Sequence, residues 1–177
     1  MEAWRLPTYR GATPPIPPGL ITSGSDPQFN FAFTLGSNIG FGSLNTDPVV
    51  GGGFWAFSGT LTVTGSSDPS ILGTYSLLTG GPGATYTPSG AFIIDNVVYP
   101  SNPALDTYGL GFVGVGGLEI NIWGNSPGNY SFYSYNGGGY NVAYTGTGTF
   151  AVPEPSALIL LSCFALVGLG FSRRRKA

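Results

Sequence analysis

The carboxylates Asp95, Asp106 and Glu119 are the side chains of this sequence best suited to acid–base chemistry. The sequence contains no histidine, and its single cysteine, Cys163, lies in an apolar run near the C-terminus. Ser-His-Asp catalysis, Cys-His catalysis and histidine-ligated metal sites are therefore excluded. Paired-carboxylate hydrolysis remains, but it needs two such groups to face one cleft. We predict that Glu119 lies on the outer face of a strand, in solvent, and that the protein is not an enzyme.

Oxygen-bearing side chains gather at Asp95 and in the loop 101–106, SNPALD, which ends at Asp106. Calcium prefers oxygen ligands, so this group could hold a calcium ion. The spacing does not match an EF-hand, however, and Asp in a loop commonly forms turns. The sequence therefore predicts no cofactor and no metal site, with calcium as the alternative.

Aromatic side chains in the second half of the sequence could stack on sugar rings, although most aromatics of a small domain lie in its core. In YSFYSY, residues 130–135, strict alternation places Tyr133 and Tyr135 outside if Tyr130 and Phe132 lie inside. This outer pair, together with Trp123, is the predicted ligand surface. The hypothesis that follows is a carbohydrate-binding module, with an exopolysaccharide as the partner.

Short segments with period-2 alternation, separated by Gly-, Pro- and Asn-rich turns, predict about eight to ten β-strands before the C-terminal tail. Phe29, Phe31, Phe33 and Leu35 alternate with polar or small residues, and Leu61 and Val63 alternate with threonines. No amphipathic helical pattern precedes the tail. The predicted fold is all-β, a single β-sandwich or jelly-roll-like domain over residues 25–150, followed by one short C-terminal transmembrane helix.

The pair Asp95-Asn96 lies in the middle of the most β-branched stretch of the domain, AFIIDNVVYP. It could form the two-residue turn of a hairpin, because Asn and Asp tolerate a positive φ. Alternatively, the stretch is one strand with a bulge. The hairpin is the favoured interpretation.

Residues 1–24 are rich in proline, which predicts an extended, disordered arm. They contain no apolar core of the length that a secretory signal requires. Since export is indicated by the tail described below, we expect a signal peptide to be encoded upstream in frame.

Basic residues are scarce outside the C-terminal cluster, where four of the six lie. The part that ends at Glu154 has only Arg5 and Arg10 against eight acidic residues, a formal charge of −6. Phosphate binding needs a basic surface, so a nucleic-acid partner is excluded.

The C-terminal tail combines three features in a fixed order. The segment Val152-Pro153-Glu154-Pro155 comes first, and its prolines predict an extended, accessible joint. An uncharged run follows from Ala157 to Phe171, about 22 Å long as a helix against a hydrocarbon core of about 30 Å. A basic cluster closes the tail and predicts a cytoplasmic C-terminus, with the domain outside the cytoplasm. The apolar residues predicted to enter the membrane are Ala157, Leu158, Ile159, Leu160, Leu161, Phe164, Leu166, Val167, Leu169 and Phe171.

This order of features closely resembles the PEP-CTERM sorting signal of bacterial surface proteins. The resemblance covers residues 151–177 and implies that the chain is a substrate of an exosortase, a membrane-embedded cysteine protease of transpeptidase type. It also implies a surface or extracellular location after processing, and a structural or adhesive role in biofilm and exopolysaccharide systems. By the same resemblance Val152, Pro153, Glu154 and Pro155 are the recognised motif. The stop signal is Arg173, Arg174, Arg175 and Lys176.

Overall fold

Residues 27–152 are the part of the chain that the computed structural model describes. This part consists of β-strands, turns and two short 3-10 helices, Pro69–Ile71 and Val115–Gly117. The strands are β1 (Gln28–Leu35), β2 (Asn38–Pro48), β3 (Phe54–Gly65), β4 (Gly73–Leu77), β5 (Thr85–Tyr86), β6 (Ile93–Ile94), β7 (Val97–Val98), β8 (Leu110–Val113), β9 (Glu119–Ser126), β10 (Asn129–Tyr135) and β11 (Tyr140–Ala151). The all-β prediction is confirmed.

Eight of these strands form one closed, barrel-like sheet. Their order is β2-β1-β11-β10-β9-β8-β4-β3, and β3 pairs with β2 again to complete the ring. Neighbouring strands are antiparallel throughout. The prediction of two packed sheets, a sandwich or jelly roll, was therefore wrong in arrangement, because β2–β3 pairing joins what would have been two free edges.

Strand β2 is not among the alternating segments from which the sequence predicted strands. Its segment NIGFGSLNTDP carries Gly40 and Gly42 at positions where an apolar side chain would have continued the alternation. In the β1–β2 register these glycines lie opposite Phe33 and Phe31. Each glycine leaves room for the aromatic ring across from it, so the strand that closes the sheet lacks the usual apolar signature.

Large apolar side chains fill the inside of the closed sheet. The rings of Phe33 and Phe132 stack at 5.6 Å, and those of Phe31 and Phe150 stack at 5.3 Å. An eight-stranded ring is just wide enough for side chains to fill. The fully buried residues of this interior include Leu35, Leu44, Leu61, Leu110, Phe112, Ile120 and Ile122. The alternation predicted for β1 and β3 is confirmed, since their inward residues are buried.

A long connection, residues 78–109, joins β4 to β8 and crosses the outside of the sheet. Val98, Ala104 and Leu105 from this connection belong to the same buried cluster as the interior. Ile94 packs on the outside instead, where a Cβ added to Gly111 would lie 2.6 Å from its Cδ1. Because Gly111 in β8 has no side chain, the connection can pack closely against the outer face of the sheet there.

The predicted hairpin at Asp95-Asn96 does not form. Strand β6 pairs with β5, whereas β7 pairs with the first residues of β3. Asn96 does have a positive φ of 55°, as its residue type allows. Its buried side-chain amide accepts from the Gly111 N–H of β8 at 2.9 Å. The same amide donates to the carbonyl of Leu78, directly after β4, at 2.7 Å. These two bonds stabilise a corner that sends the chain to a different strand.

Within residues 27–152 there is no helix with the length and apolarity needed to cross a bilayer. The predicted membrane run, the basic cluster and the arm 1–24 lie outside the described residues.

Replacing Gly42 with Ala should destabilise the protein by about 1–3 kcal/mol, because a Cβ there would clash with the Thr60 carbonyl oxygen and would meet the Phe31 ring at 2.5 Å. Gly81→Ala is the matched control, since nothing lies within 4 Å of its added Cβ. Both changes restrict the unfolded chain equally, so their difference isolates packing. Urea unfolding of the full chain in a zwitterionic detergent measures the difference in the free energy of unfolding between the two variants. Equal stability of the two variants would contradict the packing account.

Candidate functional site

An aromatic groove runs along the outside of the closed sheet, between the 78–109 connection and the exposed ends of β9, β10 and β11. Alternation directs Asn121, Trp123 and Tyr133 outward from β9 and β10, and Asn121 lies opposite Tyr133 in their register. Tyr140 is the first residue of β11. The opposite wall comes from the connection, so the groove exists because that connection folds back over the sheet. The groove has a volume of about 370 Å³ and is lined by Ala91, Phe92, Ile93, Thr107, Tyr108, Asn121, Trp123, Tyr133 and Tyr140.

The aromatic rings of the groove contact one another in sequence. The centroid of Trp123 lies 4.9 Å from that of Tyr133, which lies 5.6 Å from that of Tyr140. Phe92 reaches Tyr140 from the connection at 5.9 Å. Aromatic pairs in this distance range stabilise each other beyond the area they bury. The rings therefore form one cluster with a defined shape.

The structure places the predicted ligand residues on the outer face and partly exposed. Trp123 and Tyr133 line the groove, whereas Tyr135 lies beyond it. The ring centroid of Tyr135 is 5.5 Å from that of Tyr140. Tyr130 and Phe132 lie inside the sheet, 2% and 0% exposed. The two sides of β10 are thus divided as strict alternation requires.

Several groove residues were not singled out by the sequence. Tyr140 lies opposite Tyr135 in the β10–β11 register, so correct strand pairing would have added it to the predicted ligand surface. Asn121 follows from the alternation of β9 but was not chosen as a ligand residue, whereas Phe92 and Tyr108 gave no such signal, because their contribution depends on where the long connection packs.

Glu119 does not lie in solvent as predicted. It is only 2% exposed, because Ser89 from the connection covers it. The Ser89 N–H donates to one carboxylate oxygen at 2.9 Å, and the Ser89 hydroxyl donates to the other at 2.6 Å. Charge-assisted bonds of this kind hold a buried carboxylate in place. Glu119 therefore acts as an anchor for the connection.

Asp95 and Asp106 are brought together at the point where the connection returns to the sheet. Asp95 accepts from the Val97 N–H at 3.1 Å, and its side chain lies beside that of Asp106. Asp106 accepts from the N–H groups of Tyr108 and Gly109 at 2.9 and 3.0 Å. Burial of Asp95 raises its pKa from 3.8 to about 7, assisted by the neighbouring carboxyl of Asp106. The Asp95 carboxyl therefore keeps its proton at moderately acid pH.

The remaining oxygen donors proposed for calcium do not converge on this pair. Ser101 donates its hydroxyl to the Pro103 carbonyl, and Asn102 accepts from the Gly128 N–H. No group of three or more His, Cys, Asp or Glu side chains in the described range is placed to hold a metal ion. Asp95 and Asp106 instead serve the fold of the connection.

The sorting motif begins where the described domain ends. Strand β11 stops at Ala151, and Val152, partly buried, packs against the interior cluster. Val152 also lines a second groove of about 540 Å³, together with Tyr99, Asn102 and Thr149. Pro153, Glu154 and Pro155, like the membrane run and stop signal, lie outside the described residues.

Residues 151–176 match a family model described as the PEP-CTERM protein-sorting motif. The resemblance seen in the sequence is confirmed, and the motif implies exosortase-dependent sorting of an exported protein. No curated protein matches the chain. No solved structure matches it either.

The Asp95–Asp106 pair predicts that the protein loses stability as the pH rises from about 4 to about 7. The unfolded chain releases the Asp95 proton near pH 3.8, whereas the folded chain keeps it until about pH 7. Stability should therefore fall by up to about 1.4 kcal/mol per pH unit in this window and stay constant above it.

Asp95→Asn should remove this slope, because the amide can still accept from Val97 and donate to Asp106 without titrating. Thermal unfolding of the full chain between pH 4 and 8, followed by tryptophan fluorescence, measures the effect. Asp47→Asn, a carboxylate outside the pair, is the control and should keep the slope. Equal slopes in Asp95→Asn and the wild type would refute the raised pKa of Asp95.

Proposed function

We propose, from the PEP-CTERM motif at residues 151–176, that this chain is a surface or matrix protein whose domain acts outside the cytoplasm. In this proposal the run from Ala157 to Phe171 inserts in the membrane and the cluster Arg173 to Lys176 stays on the cytoplasmic side. Exosortase recognises Val152 to Pro155 and processes the chain there. The domain then serves a structural or adhesive role in the extracellular polymer matrix.

The observation that carries the proposal is the position of the motif at the end of the last strand. Only residues 153–156 separate Val152 from the apolar run, a reach of at most about 18 Å when extended. The domain would therefore sit close to the membrane until processing releases it. The scarcity of charge suits such a role, since the 27–152 region has five carboxylates and no Lys, Arg or His.

A non-catalytic role is supported by the placement of the carboxylates. Glu119 accepts two hydrogen bonds from Ser89, and Asp95 accepts one from the Val97 N–H beside Asp106. None of these three lines the aromatic groove. The groove accordingly offers ring faces and neutral polar groups, which are suited to binding.

Carbohydrate binding is the second candidate function, and the exposed cluster of Trp123, Tyr133 and Tyr140 favours it. Tyr140 is 55% exposed, so much of its ring is accessible to a ligand. An exposed ring face can stack on the apolar face of a sugar while neighbouring amides and hydroxyls bind its hydroxyl groups. An exopolysaccharide of the matrix is the proposed partner.

Replacing Glu154 with Ala should block processing in a host that makes an exosortase. The full-length chain should then accumulate in the membrane fraction, because the recognised acidic residue is gone. Immunoblots of fractionated cells measure the ratio of full-length to processed protein. Asp47→Ala, an acidic residue within the folded domain, should be processed normally. Wild-type processing of Glu154→Ala would overturn the sorting proposal.

The double variant Tyr133→Ala, Tyr135→Ala should weaken retention on immobilised polysaccharide by about tenfold, because two outer ring faces are lost. Tyr86→Ala is the control, since this tyrosine is 68% exposed and lies outside the groove. A glycan array or a polysaccharide pull-down measures retention. Equal binding by the double variant and the wild type would remove this surface from consideration.

A further inference from the structure

We infer that the aromatic groove binds a single chain of an uncharged saccharide, with Asn121 as a hydrogen-bonding partner of a sugar hydroxyl. This inference rests on the carbohydrate-binding candidate and goes further, because it specifies the charge class of the ligand, its physical form and one polar contact.

The charge of the domain selects against acidic polysaccharides. The nine residues that line the groove include no charged side chain. The 27–152 region has no basic residue, and its five carboxylates give it a formal charge of −5. Binding a polymer with a carboxylate on every sugar would bring like charges together with no cation to pair them. A neutral sugar avoids this cost.

Asn121 supplies an acceptor that the protein itself does not use. It lines the groove, is only 3% exposed, and donates its Nδ2 to the Ile93 carbonyl at 3.5 Å. Its Oδ1 is buried and accepts from no donor among the described residues. An unpaired buried polar atom costs free energy, so a hydroxyl that bonds it gains stability.

A ligand can reach this oxygen through a small movement of the groove wall. Oδ1 is closed to solvent, but Tyr108 and Tyr140 in the same groove are 40% and 55% exposed. Tyr140 pairs with Phe92 and Tyr133, whereas Tyr108 is in no aromatic pair among the described residues, so moving Tyr108 breaks no ring contact. Binding and the opening of a path to Asn121 would then occur together.

The inclination of the rings points to one flexible chain as the ligand. The planes of Trp123 and Tyr133 differ by 38°, and those of Tyr133 and Tyr140 are perpendicular. Rings arranged in this way do not make the flat platform needed to lie on a crystalline polysaccharide. They form a curved wall that can follow a twisted single chain, with successive sugars meeting different rings.

The test compares neutral and acidic oligosaccharides of equal length on the same protein. The full chain is placed in phosphocholine-lipid nanodiscs, which present no sugar headgroup to compete. Binding is measured by calorimetry with glucose and mannose hexasaccharides of different linkage, and with a galacturonate hexamer. At about 0.01 M salt at least one neutral ligand should bind about tenfold more tightly than galacturonate. This ratio should shrink at about 0.3 M salt, where charges are screened.

Two variants test the groove itself. Asn121→Ala should weaken binding of the neutral ligand by about tenfold through the lost hydrogen bond, and Tyr140→Ala should do so through the lost ring face. Tyr140 is exposed, so its replacement keeps the test decisive even if Asn121→Ala fails to fold. Phe41→Ala is the matched control, because Phe41 is also 55% exposed but lies on β2 away from the groove.

Three results would overturn the inference, and they are distinguishable. Equal binding of galacturonate would reject the neutral class while leaving carbohydrate binding in place. Binding of no saccharide would reject both, and the sorting proposal would stand on its own test. A chain that binds no sugar but changes from dimer to monomer in Tyr140→Ala would assign the groove to self-association.

Discussion

Closure of the sheet between β2 and β3 is the pairing on which the rest of the structure depends. An open sheet exposes a row of unpaired N–H and C=O groups, and natural proteins commonly protect such edges with lysines or other charges. The 27–152 region has no lysine or arginine to use in this way. Closure abolishes the free edges instead and leaves a surface in which threonine, serine and asparagine provide solubility.

The 78–109 connection forms one wall of the aromatic groove on the outside of the closed sheet. Leu105 of the connection packs into the interior cluster, whereas Ile94 packs against the outer face of the sheet at Gly111. It is held by polar contacts, chiefly Ser89 on Glu119 and Asp95 on Asp106. Because the pKa of Asp95 is raised to about 7 by burial, the stability of the connection depends on pH. The groove lies along its border with the sheet, so ligand binding and the anchoring of the connection are physically linked.

The sequence predicted the elements whose pattern is local. Alternation located β1, β3 and β10 and divided Tyr130 from Tyr133 correctly, because the side-chain period of a strand is two. It missed β2, where Gly40 interrupts the apolar pattern to make room for Phe33. Without β2 the ring could not be recognised. Glu119 was misplaced for a similar reason, since only the tertiary position of Ser89 buries it.

The aromatic surface likewise combines residues that strand alternation identifies with residues that only tertiary packing brings in. Trp123, Tyr133 and Tyr135 follow from strand alternation, whereas Phe92 and Tyr108 enter the site only because the connection folds back. The tail was readable from sequence alone because its three features are contiguous. The match to the PEP-CTERM motif indicates export to the cell surface or extracellular space. The ligand that we propose for the groove is a saccharide.

Location outside the cytoplasm is the central claim, and protease treatment of intact cells tests it most directly. Cells that make an exosortase and express the chain are exposed to an external protease and then fractionated. The domain should be cleaved or found in the medium, while a cytoplasmic marker stays intact. Recovery of the uncleaved, full-length chain in the soluble cytoplasmic fraction would contradict the account.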